Sequence, residues 1–170
     1  MTNMTYERTQ TSAADKARIA REIGNYVNTT HYITLSLCAG RMVQTLCRGR
    51  RWIAGDDIIY NETYESFIRS LSKRLAGRAD WATNRRLLKA VGVIGGDKSL
   101  NINDHLHIQI EKPASVLEND FLEAVHSVAA GNMWVKQGPY AVDIQSVEPG
   151  QAASRVTHYT VNHGVDRLCV

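Results

Sequence analysis

Apolar residues recur three and four apart over residues 12–27, where Ala17, Ile19, Ala20, Ile23, Tyr26 and Val27 would form one stripe of a helix. Ser12, with Asp15 three residues on, supplies a capped start. The period then changes to two. In His31-Tyr32-Ile33-Thr34-Leu35-Ser36-Leu37, Ile33, Leu35 and Leu37 take one face of a strand and Tyr32, Thr34 and Ser36 the other. Residues 39–61 show no clean period. A second helix is expected over residues 62–76, with the stripe Tyr64, Phe67, Ile68, Leu71 and Leu75, Lys73 and Arg74 in its last turn and Gly77 as terminator.

Residues 87–94 form an apolar run that reads as a buried strand ending at Gly95-Gly96. In the next stretch, Asn103-Asp104-His105-Leu106-His107-Ile108-Gln109-Ile110, alternation sends Leu106, Ile108 and Ile110 to the core. It puts His105, His107 and Gln109 on the other face. Pro113 breaks the chain. Ser115 and Glu118 have capping-box spacing for a helix with Phe121, Leu122, Val125 and Val128 on its core face and Gly131 at its end. His126 lies beside that stripe and reads as a packed or surface histidine. Residues 140–147 alternate as a half-buried strand, Pro149-Gly150 is a turn, and residues 151–163 can form a last helix stopped by Gly164. Strands and helices mix without strict alternation, which predicts an α+β fold with an antiparallel central sheet and helices packed against it.

Composition narrows the class. The chain has 170 residues, 44% hydrophobic and 22% charged, the balance of one ordinary globular domain. A net charge of +3 permits a basic groove without demanding one. Three scattered cysteines without a C-x-x-C pair exclude a disulfide framework and suit a reducing compartment. No signal core or membrane-length apolar run is present, so no membrane partner is expected. The segment Gly92-Val93-Ile94-Gly95-Gly96-Asp97-Lys98-Ser99 nearly matches a phosphate-binding loop. Asp97, however, puts a carboxylate where backbone donors should face phosphate, and an ATP site is rejected.

Candidate chemistry lies elsewhere. Two imidazoles two residues apart on a strand can grip one metal ion from the same side. In Arg155-Val156-Thr157-His158-Tyr159-Thr160-Val161-Asn162-His163-Gly164, helical spacing lets Tyr159, Asn162 and His163 point together. A tyrosine near a divalent cation is a candidate nucleophile for phosphodiester transfer, because the cation favours the phenolate. Arg41, Arg48, Arg50 and Arg51 beside Trp52 could track a phosphate backbone and stack a base, or be a solvated loop.

In order and spacing, Ile33-Thr34-Leu35-Ser36-Leu37, then His105-Leu106-His107, then Tyr159 resemble the three motifs of the HUH endonucleases. The likeness is to the single-tyrosine rolling-circle replication initiators of plasmids, phages and single-stranded DNA viruses, and it spans residues 30–164. It implies metal-dependent nicking and joining of single-stranded DNA through a 5′-phosphotyrosine at Tyr159, with Asn162 beside it. It also implies Mg²⁺ or Mn²⁺ on His105 and His107, and Arg48, Arg50, Arg51 and Arg155 on DNA. The nicking domain would occupy residues 29–170, preceded by an N-terminal helical segment over residues 1–28. Expected partners are single-stranded DNA or an origin hairpin, a host helicase and a polymerase, in bacterial or archaeal cytoplasm or a eukaryotic nucleus.

Two positions depart from the family. Its acidic ligand on the preceding strand falls near Ile94, and its lysine three residues after the tyrosine is Asn162. The third ligand is therefore open between His163, Asp97 and Gln109. A single-tyrosine insertion-sequence transposase and a degenerate DNA-binding module are the alternatives.

Overall fold

The computed structural model describes residues 12–45, 49–85, 87–97, 102–148 and 167–169. Along these run α1 (Ala13–Tyr26), β1 (His31–Ser36), β2 (Gly40–Thr45), β3 (Gly49–Ala54), α2 (Asp57–Asn84), β4 (Ala90–Asp97), β5 (Ile102–Ile110), α3 (Glu118–Gly131), β6 (Val142–Ser146) and β7 (Leu168–Cys169). Five strands form an antiparallel sheet in the order β6-β1-β5-β4-β7, and β2 and β3 form a separate two-stranded ribbon. The fold is α+β, with helices packed on an antiparallel sheet. No helix among the described residues is long and apolar enough to cross a membrane.

Strand alternation builds the core. Ile33 and Leu35 of β1 pair with Ile108 and Leu106 of β5, and Ile94 of β4 pairs with Leu106 from the other side. Against this face lie Tyr60, Tyr64, Phe67 and Leu71 of α2 and Phe121 and Val125 of α3, all buried. Each such side chain contributes about 1.5–3 kcal/mol by leaving water. The second face is partly covered by α1, whose Ile23, with Val27 just past the helix end, packs with Val91. Ser12 accepts from the Asp15 amide (3.1 Å), as expected of its cap, whereas Tyr26 of the expected stripe is exposed.

Several expected boundaries move. α2 begins at Asp57, earlier than its stripe suggests, because Asp56 accepts the Ile59 amide (2.8 Å) and Tyr60 extends the buried stripe by one turn. Gly77, with φ 73° and ψ 166°, breaks the helix as expected, but a further helical segment follows it. β4 starts at Ala90, where pairing with Ile110 begins, and Leu87 is exposed. The rejected phosphate loop is strand as far as Asp97. α3 has no capping box: Leu117 stands at its N-cap, and Glu118 instead meets buried His31 (Oε1 to Nε2, 2.7 Å). A buried imidazole needs a partner more than a solvated helix start does. β6 is shorter than expected, with Tyr140 exposed before it. The helix expected over residues 151–163 lies outside the described residues.

The aperiodic stretch after β1 is the ribbon β2–β3. It packs no wholly apolar face, so the period-two signal that marks a half-buried strand is missing there.

Candidate functional site

His105 and His107 stand on β5, the middle strand of the five. β1 on one side sets Ser36 opposite His105 and Thr34 opposite His107. On the other side, β4 sets Gly95 opposite His105 and Val93 opposite His107. Directly opposed residues share a face, so the polar face of the first strand and the two histidines form one surface. The rings lie 4.4 Å apart between centroids at 76°. His107 is 7% exposed and its ring stacks on Tyr32 at 5.3 Å, while His105 is half-buried.

Backbone and hydroxyl partners orient both rings. His105 Nδ1 lies 2.9 Å from the Asn103 carbonyl, which can only accept, so Nδ1 carries a hydrogen and is the donor. His107 Nδ1 lies 3.1 Å from the Thr34 hydroxyl. Such a partner on the second ring nitrogen is the usual support of a metal-binding histidine. The sequence pattern put Thr34 on the polar face, but its contact with His107 depends on cross-strand register, which no local pattern encodes.

The register also shows what stands opposite His105 on β4. Ile94 pairs with Leu106 and is buried in the core; the residue facing His105 is Gly95. A Cβ on Gly95 would come within 2.3 Å of His105 Nε2, so this imidazole folds over bare backbone. A one-residue offset along a strand exchanges faces, so Gly95 and Ile94 point to opposite sides of the sheet.

The other candidate ligands are dispersed. The Gln109 amide oxygen accepts from Thr29 (3.1 Å) in a buried position opposite Tyr32. Asp97 closes β4 past an irregularity in the ladder, opposite Ile102, and only its backbone is described. Asp143 shares the histidine face, but it pairs with Thr34 from β6, two strands from His107, and its Oδ2 accepts from Gln145 (2.8 Å). Among the described residues, no three His, Cys, Asp or Glu side chains are placed to hold one metal ion. Tyr159, Asn162, His163, Arg155 and Arg48 lie outside the described residues; Arg50 and Arg51 are exposed on β3. His126 is a surface residue, as expected.

Behind the histidines is a network that sequence reasoning missed. Asp104 is buried on the core side; its Oδ2 accepts from the Tyr60 hydroxyl (3.0 Å), and its Oδ1 lies 3.5 Å from Arg167, which also pairs with Asp57. Burial raises the Tyr60 phenol above its usual range, and the Asp104 charge raises it further. Tyr60 is therefore held as a hydrogen-bond donor to Asp104. The network fixes Arg167 near the His105 end of the sheet. By contrast, Ser146 ends β6 opposite His31, at the other end and on the other edge. Residues 149–166, which include Tyr159, connect these two positions.

Comparison with protein-family models, with curated proteins and with solved structures gives no match for this chain.

Proposed function

We propose that this protein nicks and joins single-stranded DNA through a covalent tyrosine adduct, as a single-tyrosine HUH endonuclease that initiates rolling-circle replication. One observation carries the reading: the first-motif strand and the His-Leu-His strand are neighbours in the sheet, with Thr34 opposite His107 and Ser36 opposite His105. Motifs about seventy residues apart in the chain thus form one polar surface.

In this reading His105 and His107 hold Mg²⁺ or Mn²⁺ through Nε2, with a third donor from Asp97 or His163. The bound cation would polarise the scissile phosphate and offset developing negative charge. Asn103 and Thr34 hold the two rings from behind. The Tyr159 oxygen attacks phosphorus, forming the P–O(Tyr) bond as the P–O3′ bond breaks. The phenol proton is lost, and the departing 3′ oxygen becomes a hydroxyl for a polymerase to extend. Joining is the same exchange in reverse, so one site serves both. Arg48, Arg50, Arg51 and Arg155 supply phosphate contacts, with the salt dependence such contacts bring. A host helicase and polymerase are the implied partners, in the cytoplasm of a bacterial or archaeal host or in a eukaryotic nucleus.

A second reading, a DNA-binding module without catalysis, is favoured by Gly95, which puts no carboxylate opposite His105. The test is incubation with labelled single-stranded DNA carrying candidate origins, with and without Mn²⁺, followed by a denaturing gel. Nicking requires a covalent protein–DNA band that depends on the cation and is abolished in Tyr159→Phe. A band surviving in that variant assigns the nucleophile wrongly, and DNA binding without any band selects the second reading.

A further inference from the structure

The ribbon β2–β3 carries a surface distinct from the histidines. Its register sets Met42 opposite Trp52 and Gln44 opposite Arg50, so these four side chains share one face. Arg41 and Val43 lie on the other face, and Arg41 is tied to the body by its bond to the Met133 carbonyl. On the first face Trp52 is 60% exposed and Met42 50% exposed. Two large apolar groups stand side by side here, each at least half open to solvent.

The indole is seated. A Cβ on Gly40 would come within 2.5 Å of Trp52 Cζ2 and 2.9 Å of the Ile53 carbonyl oxygen. Only glycine leaves space for the ring at that place, so the ring rests on the backbone of β2 while much of it stays open to solvent. Charge completes the picture. Residues 39–55 contain Arg41, Arg48, Arg50 and Arg51 and no aspartate or glutamate, although the chain has 17 acidic residues. The ribbon thus carries a supported aromatic platform with one arginine, Arg50, on the same face and no acidic side chain along its sequence.

We infer that this face binds single-stranded nucleic acid, with a base stacked on Trp52 beside Met42 and a phosphate on Arg50. An aromatic platform with an arginine beside it suits a ligand that alternates flat apolar units with anions. A duplex hides its base faces within the stack, which selects the unpaired strand. The ribbon also starts close to the histidines. Gly40 follows Ser36, the partner of His105, by four residues, so at most about 14 Å of chain separates them. The start of the ribbon is thus within reach of the His105 end of the sheet. The inference rests on the nicking reading for its substrate class, and it locates where that strand is held.

The test is equilibrium binding of the full chain to a labelled oligothymidylate, read by anisotropy in EDTA, where no cation-dependent chemistry occurs. Trp52→Ala should weaken binding about tenfold or more, and Trp52→Phe should retain most of it. Arg50→Gln should reduce the slope of log affinity against log salt by about one. Gly40→Val keeps the tryptophan but displaces its ring, so it should match Trp52→Ala. Circular dichroism and urea midpoints establish that each variant is folded. Wild-type affinity in Trp52→Ala overturns the inference, as does tighter binding to a duplex of the same length. Trp52-dependent binding to phosphatidylcholine vesicles containing phosphatidylserine, without binding to the oligonucleotide, overturns it in favour of a membrane surface. Covalent adduct formation that ignores Trp52 also sinks this inference but leaves nicking intact. Trp52-dependent binding without any adduct sinks nicking alone.

Discussion

Thr34 shows how a single hydroxyl links the two recognisable strands. It faces His107 Nδ1 at 3.1 Å, so it sets both the tilt of the ring and the direction in which Nε2 points. Replacing it with valine keeps the β-branched shape that suits a strand and removes the oxygen. If His107 ligates a cation, Thr34→Val should lower Mn²⁺ affinity or Mn²⁺-dependent adduct formation by about 10–100-fold. Calorimetric titration and the gel assay measure this. An unchanged Mn²⁺ response would remove His107 from the site. Gly95 acts by absence: its missing Cβ is what lets the His105 ring lie where it does. The alternation of histidine with leucine was legible in the chain, but the neighbours of each imidazole were not, because they come from strands far away in sequence.

Among the elements, α2 depends on one backbone position. Gly77 adopts φ 73° and ψ 166°, a region that residues with a Cβ enter only at a cost of about 1–3 kcal/mol. Nothing lies within 4 Å of where its Cβ would be, so the cost of a side chain there is conformational and not steric. Gly77→Ala should therefore lower stability by about that amount, seen as a lower urea midpoint with little change in slope. A midpoint equal to wild type would mean that the segment after Gly77 simply realigns into one continuous helix. The stripe of α2 was readable from its 3.6-residue period, and Gly77 was readable as a stop. That a helical segment continues beyond it was not, since helix length depends on what the later turns meet. The ribbon β2–β3 escaped notice for the opposite reason: its residues are positioned by pairing with each other and not by burying one face.

Across the full fold, three buried acids couple stability to pH. Burial pushes the Cys169 thiol from 9.0 up to about 12, and burial likewise raises the phenols of Tyr60 and Tyr64 above 10.0. Their folded forms stay protonated while the unfolded chain releases its protons. The unfolded state therefore binds fewer protons above pH 9, and stability falls as pH rises. For Cys169 the loss runs from about pH 9 to about pH 12, and the phenols add to it above pH 10. Each group contributes at most about 1.4 kcal/mol per pH unit. Urea unfolding between pH 8 and pH 11 (roughly the span below the folded thiol value) should show a falling midpoint; a flat one would show these groups titrating alike in both states. Tyr60, Asp104, Arg167 and Asp57 also join parts of the chain that are far apart, closing β7 onto the sheet behind the histidines.

Local periodicity was enough to give the α+β class, the core faces of β1, β5, α2 and α3, and the pairing of His105 with His107 on one side of a strand. Those features follow from bond geometry alone, since a strand alternates and a helix turns every 3.6 residues wherever it sits. Register and enclosure came from the folded chain. They placed Thr34 behind His107, set Gly95 opposite His105, and drew Glu118 from a helix cap to His31. They also seated Trp52 on Gly40. Each is a contact between residues from separate strands, helices or loops, and a shift of one residue along either partner would exchange its face and abolish it.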